Sequence, residues 1–256
     1  MRIRHALEQT LAAGRLEGWQ PGNAEVAALA GLLGGVMTFG EYLAPHLNQP
    51  RARVRRPLLA RRRPYFIPGT TVLRNSFGVS DPIILDRLEF VAAAGRTAQV
   101  HGGIAGWPPD VQRLHQHVFG DVYAWAGVPR IVELRRGGSS FLDSAAIPAS
   151  LMRLSDEIAE LAMVVFDDSA LVFQLSRIYA EYNRIHPFRE GNGRTGTLLL
   201  HILAYRAGRR LDLRDIEREQ WIAASRESML PWRDGSCDPR PIAAVLQGAV
   251  SRWERG

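Results

Sequence analysis

Nine consecutive residues, His186-Pro187-Phe188-Arg189-Glu190-Gly191-Asn192-Gly193-Arg194, bring an imidazole, a carboxylate, two glycines and a guanidinium into one short stretch. A histidine titrates near neutrality and suits the removal of a proton from an attacking hydroxyl. Glu190 offers a hard oxygen to a magnesium ion bridging phosphates, and Arg194 a planar fork for phosphate oxygens. Gly191 and Gly193 allow close backbone approach by a ligand. If a helix starts near Asn192, its unpaired N–H groups and positive end complete an anion cradle with Gly191, Asn192, Gly193 and Arg194. A base, a metal ligand and a phosphate nest are the equipment of nucleotidyl or phosphoryl transfer. The run is not a P-loop: Phe188 stands where the first glycine would be, and the lysine is missing.

Two long helices are needed to hold this loop. Val172, Leu175, Tyr179 and Tyr182 predict one from Ser169 to about Arg184, stopped by Pro187, which disfavours helical geometry at His186. Another runs from near Asn192 to Gly208. Further helices are expected over Asp81–Ala94 (ending at Gly95), around Val111–Val118, and over Ala145–Val165, Leu213–Met229 and Ile242–Trp253. Arg130–Phe141 reads as a hairpin about Gly137-Gly138. Towards the N-terminus, Leu7 and Leu11 share a helix face. Asn23 is placed to cap a helix over Ala24–Leu33, and Thr38 with Glu41 has capping-box spacing before a third helix. The fold class is therefore mainly α. Residues 1–47 form a small helical unit, 48–68 a linker, and 69–256 a larger helical domain.

Bulk properties narrow the classes. A chain of 256 residues with 46% hydrophobic composition buries a sizeable core. Its longest apolar stretches, Ala27–Val36 and Leu198–Ala204, are too short to span a bilayer, and the first residues lack a signal-peptide pattern, which points to the cytoplasm. Cys237 is the single cysteine, so no internal disulfide forms. Net charge is +6 and all 32 basic residues are arginine. That balance suits nucleotides or nucleic acid, although a plain bias toward arginine also explains it. Seven arginines lie between Arg51 and Arg63, broken by Pro57. The resulting alternative, a DNA-binding regulator using this basic linker, explains only charge and lacks aromatic interleaving. His115 and His117 have no ligand-spaced partner and read as surface or capping residues. Trp125 and Trp221 read as core, and Asp167-Asp168 as a helix start.

The loop resembles the Fic family signature, His-Pro-Phe-x-(Asp/Glu)-Gly-Asn-Gly-Arg. Gly69–Asp81, Leu88-Glu89 and Leu114–Arg130 look like the approach to a Fic core, so the likeness covers roughly Tyr65–Val250. It implies a Fic-type helical bundle with one β-hairpin flap, and a protein adenylyltransferase that moves AMP from ATP to a Ser, Thr or Tyr hydroxyl. His186 would be the base, Glu190 the Mg²⁺ ligand, Gly191, Asn192, Gly193 and Arg194 the phosphate ligands, and Phe188 the loop's anchor. The flap around Leu134–Phe141 would pair with the target backbone. Residues 4–47 are similar to the small three-helix antitoxins of one class of Fic toxins, which implies autoinhibition through Glu17, next to Gly18. Two positions depart from that pattern. Ala13 stands at the antitoxin's Ser/Thr position, and Thr197 replaces a second arginine that meets the inhibitory glutamate and the γ-phosphate. These departures leave open a related reaction (phosphoryl or phosphocholine transfer, or AMP removal) or a reduced-activity regulator. The class likeness suggests a type II topoisomerase as target, a choice that no residue reports.

Overall fold

The computed structural model describes residues 2–47, 63–136, 139–161, 166–230 and 236–252. Most of the expected linker, 48–62, and with it the basic run read as a DNA-binding arm, lies outside the described residues, as does the hairpin tip at Gly137-Gly138. The helices are α1 (Arg2–Leu16), α2 (Asn23–Leu33), α3 (Phe39–Leu47), α4 (Pro82–Gly102), α5 (Val111–Phe119), α6 (Ile147–Leu161), α7 (Asp168–Ile185), α8 (Asn192–Arg206), α9 (Arg218–Glu227) and α10 (Arg240–Leu246). Strands β1 (Arg135–Arg136) and β2 (Ser139–Ser140) pair antiparallel as the hairpin, and β3 (Arg209–Leu211) pairs with β4 (Val250–Arg252). The fold is thus mainly α with small two-stranded sheets. Among the described residues no helix is long and apolar enough to cross a membrane.

The core gathers on α8, whose Leu198–Ala204 stretch is almost wholly buried, with α1, α5 and α7 packed around it. Several expected boundaries shift for physical reasons. Helix α4 does not end at Gly95 but continues to Gly102. Gly95 is a contact point instead, since a Cβ there would fall 2.6 Å from the Tyr42 ring and 3.0 Å from Phe39, so its small size lets α3 approach. Gly22, not Asn23, caps α2, and the Gly22 N–H donates to Glu25 Oε2 at 2.7 Å. The capping box of Thr38 and Glu41 forms as expected, with Thr38 N–H to Glu41 Oε2 at 2.7 Å and Glu41 N–H to Thr38 Oγ1 at 3.2 Å. Helix α9 begins only at Arg218, because the stretch before it carries β3 and a turn anchored on Asp212. The expected helix Ile242–Trp253 breaks after Leu246 at Gly248 (φ 85), and the chain returns as β4 beside β3. A three-residue strand carries too little pattern to be read from sequence.

Helix α1 docks on α4, α8 and α9 through buried Ala6, Ala12, Ala13 and Leu16. Its polar residues are used as well. Gln9 Nε2 donates to Asp212 Oδ1 at 2.8 Å, and Leu213 N–H donates to Gln9 Oε1 at 2.9 Å. The Thr10 hydroxyl donates to Ala6 O at 2.7 Å and meets His101 Nδ1 at 2.9 Å. With its proton already used, Thr10 must accept from Nδ1–H, which leaves His101 Nε2 unprotonated. The His101 ring stands edge-on to His201 at 4.7 Å, and burial pushes the His101 pKa down to about 3 and that of His201 well below its usual value. His5, Asp212, Glu8, Arg210 and Arg214 complete the charged surroundings. Both histidines are neutral when folded and charge near pH 6.5 when unfolded. Stability is therefore fully present above about pH 6.5 and falls as pH drops toward about 3, each proton weighing about 1.4 kcal/mol per pH unit. Thermal unfolding between pH 7.5 and 5 should show Tm falling with acid, and His101→Gln should flatten that dependence.

Candidate active site

His186 ends α7 in left-handed geometry (φ 45, ψ 60), its N–H donating to Tyr182 O at 2.9 Å. Histidine is among the few non-glycine residues that adopt this region readily. The turn brings the ring into a cavity of about 360 Å³ lined by Glu17, His186, Glu190, Gly193, Arg218 and Trp221 among others. Phe141, just after β2, stacks on the imidazole with centroids 3.7 Å apart and planes 14° apart. The Phe141 N–H donates to Leu134 O at 3.1 Å, extending the hairpin ladder to this ring.

Arg130 fixes the hairpin to the loop, and sequence reasoning missed it. It is 1% exposed. Its Nε donates to His186 O at 2.9 Å, Nη1 to Val132 O at 2.7 Å, and Nη2 to Leu142 O and Ile185 O. Its own N–H reaches Pro187 O at 2.7 Å. Burial pulls its pKa down, and nearby Glu133 and Asp143 counter that. One guanidinium thus ties the His186 backbone to both ends of the hairpin, with its donors satisfied by carbonyls.

His115 is the second brace, correcting its reading as a surface or capping residue. It is fully buried on α5, and its ring stacks on Phe188 at 3.8 Å. Gly127 N–H donates to Nδ1 at 2.8 Å, so Nε2 carries the proton and donates to Glu190 O at 2.9 Å. Burial holds its pKa down at about 3, which keeps this tautomer neutral. His115→Ala should leave two partly buried backbone groups, Gly127 N–H and Glu190 O, without their partner, at about 1 kcal/mol or more each, measurable by urea unfolding. His117 is half-buried against Trp107, with ring centroids 4.5 Å apart. Trp221 is core, as expected, and also lines the cavity; Trp125 is only half-buried.

Beyond Phe188, which is fully buried, the loop closes on itself. Asn192 Oδ1 accepts from Phe188 N–H at 2.9 Å and Nδ2 donates to Phe188 O at 2.8 Å. Gly191 (φ 80) is the N-cap of α8 and makes no side-chain cap, leaving first-turn N–H groups for a ligand. A Cβ on Gly191 would fall 2.3 Å from the Phe119 ring, so glycine is required there twice over.

Arg194 is gripped from several sides. Its Nη2 binds Glu89, which also accepts from the Tyr123 hydroxyl, and Glu190 Oε1 lies 3.9 Å away. The guanidinium sits 4.9 Å from the Phe90 ring and 4.6 Å from Phe119. Burial opposes its charge, but Glu89 and Glu190 outweigh that and raise its pKa. Nε and Nη1 are buried without hydrogen-bond partners among the described residues. Arg194 also borders a cavity of about 10 Å³ beside Thr10 and Ala13 of α1. Burial and the negative charge of Glu89 raise the Glu190 pKa, with Arg194 opposing. Gly191 N–H donates to Glu190 Oε1 at 3.0 Å, while the side chain stays 44% exposed. One partly exposed carboxylate beside an anion cradle fits magnesium, which relies on substrate phosphates and waters for its other ligands.

Glu17 follows α1 and enters the same cavity. A Cβ built on Gly193 would fall 2.0 Å from Glu17 Oε1 and 2.6 Å from its Cδ, so the carboxylate lies against the first turn of α8. Thr197 is fully buried, its hydroxyl donating to Arg194 O at 3.0 Å, and puts no cation in the cavity. Of the seven residues singled out by sequence, Glu17, His186, Glu190, Asn192 and Gly193 line this cavity; Gly191 caps α8 beside it, and Arg194, in the first turn of α8, faces Glu89 and the smaller cavity instead.

Residues 108–204 match the Fic/DOC family. The chain is 35% identical over 191 residues to the probable protein adenylyltransferase y4lH of Sinorhizobium fredii, covering 73% of this chain and 95% of that protein. It is 32% identical over 169 residues to protein adenylyltransferase VbhT of Bartonella schoenbuchensis, 64% of this chain but only 35% of that protein's length. In fold it is similar to the BepC protein of Bartonella tribocorum, solved with bound AMPPNP, at TM-score 0.65 and 19% identity over 74% of this chain and 97% of that one.

Proposed function

The chain belongs to the Fic/DOC family, and on that premise we propose that this protein adenylyltransferase moves AMP from ATP onto a Ser, Thr or Tyr hydroxyl of another protein, restrained by its own N-terminal segment. The observation that carries the reading is that His186 and Glu190 line one cavity at the glycine-rich N-terminus of α8, whose first turn carries Arg194. His186 accepts the target's hydroxyl proton. The oxygen forms a bond to the α-phosphorus, the bond from that phosphorus to the bridging oxygen breaks, and pyrophosphate leaves with the electron pair. The α8 N-terminus and Arg194 hold the phosphates. Glu190 would hold magnesium, which supplies charge neutralisation at the phosphate oxygens when bound.

The domain roles follow the same division: residues 1–47 as the restraining unit and 69–256 as the catalytic one. The flap, which reaches His186 through Phe141, offers the exposed backbone of Arg135 to an extended target segment. The test is label transfer from α-labelled and γ-labelled ATP in Mg²⁺, using the Glu17→Gly protein with a lysate and with a purified type II topoisomerase. AMP transfer incorporates only the α label. Incorporation of the γ label instead would assign phosphoryl transfer and remove this reading.

A further inference from the structure

The phosphate end of the cavity is short of cations on α8. Arg194 is already shared by two carboxylates, and Thr197, three residues later, is buried and uncharged. A nucleoside triphosphate carries more negative charge than one partly neutralised guanidinium answers, and the α8 N-terminus and a magnesium at Glu190 leave room for a further cation at the terminal phosphate. The opposite wall is α9. Its first residue, Arg218, lines the cavity, as does Arg226, eight residues or about 12 Å further along the helix. Arg135 and Arg189 line the cavity as well, from the flap and from the loop, whereas Arg218 lies against Gly18, the neighbour of Glu17. A Cβ built on Gly18 would lie 3.4 Å from its Nε, 3.5 Å from Nη2 and 3.7 Å from Cζ. Among the described residues no carboxylate lies within ion-pair distance of Arg218. It is exposed, charged and uncommitted at the edge of the space that the Glu17 carboxylate fills.

We propose that Arg218 is the ligand of the nucleotide's terminal phosphate and sets the preference for a triphosphate over a diphosphate. The inference rests on the reading of this cavity as a nucleotide site. With the segment docked, Arg218 borders Gly18. With Glu17 withdrawn, the guanidinium faces the vacated space next to Gly193, where phosphates beyond the α8 N-terminus emerge. The contact is charge-assisted and suits a planar fork.

The experiment is calorimetric binding of Mg·ATP and Mg·ADP to the full chain carrying Glu17→Gly, compared with the same chain carrying Arg218→Ala, Arg218→Lys or Arg226→Ala. Arg218→Ala should weaken ATP about tenfold or more and leave ADP within about twofold, Arg218→Lys should recover part of the loss, and Arg226→Ala should keep the parental ratio. A merely structural role would weaken both nucleotides together. An unchanged ATP-to-ADP ratio in Arg218→Ala overturns the proposal, as does an equal change in Arg226→Ala, which would assign the effect to the general field of the basic wall. A parent without preference for ATP overturns it too, while α-label transfer still tests the adenylyltransferase reading by itself. Transfer that fails although the Arg218-dependent ratio holds counts against the transferase reading alone.

Discussion

In the Glu17→Gly background, His186→Ala is expected to lower α-label transfer about 10²- to 10⁴-fold, the range associated with loss of a positioned general base. ATP binding should hardly change, because the proposed phosphate ligands are the α8 N-terminus and Arg194 rather than the imidazole. The left-handed backbone at residue 186 complicates the alanine variant, since a side chain without polar support is strained at φ 45. Asparagine tolerates that region better, so His186→Asn separates chemistry from folding. It should unfold near the parental Tm and still fail to transfer label. Retained transfer in His186→Asn would place the base elsewhere. The backbone carbonyl of residue 186 still receives Arg130 Nε in either variant, so the flap stays fastened to the loop.

Much of this site was legible because it is local in sequence. Nine adjacent residues carry the proposed base, metal ligand and cradle, and Pro187 and the two glycines announce the turn between α7 and α8. What escaped was whatever depends on distant partners. Arg130 looks like the end of a loop, and its burial against the carbonyls of His186 and Leu142 is visible only once the flap and α7 are brought together. His115 sits on an ordinary amphipathic helix, and its partners, Gly127 and Glu190, lie 12 and 75 residues away. The pairing of Arg194 with Glu89 spans 105 residues. The same limit governed the fold. Helices with several apolar turns were found, whereas the β3–β4 pair, three residues on each side, left no periodic trace. The entry of Glu17 into this cavity was expected from a family likeness alone, and its contact with Gly193 was not, since 176 residues separate the two and no spacing rule joins them.

Glu17→Gly is expected to raise transfer about 5- to 150-fold, the effect of 1–3 kcal/mol of coupling between a docked segment and a ligand. The Glu17 carboxylate lies where the α8 N-terminus would receive an anion, and two negative groups cannot share that position. Removing it should not undock α1, which is held by buried Ala6, Ala12, Ala13 and Leu16, by the Gln9–Asp212 bond, and by Trp19 stacked on Phe90. Activation therefore should come with little change in Tm. Glu17→Gln keeps the volume without the charge, and an intermediate rate would apportion the restraint between repulsion and bulk. Gly193→Ala makes the reverse substitution. Its methyl would fall 2.0 Å from Glu17 Oε1 and drive the flexible carboxylate away, yet it also fills the approach to the phosphate cradle. That variant should lose ATP affinity and gain no activity, although it too has expelled the glutamate. If Glu17→Gly instead binds ATP and transfers label at the wild-type rate, the carboxylate is a bystander in the cavity and restraint by the N-terminal segment is wrong.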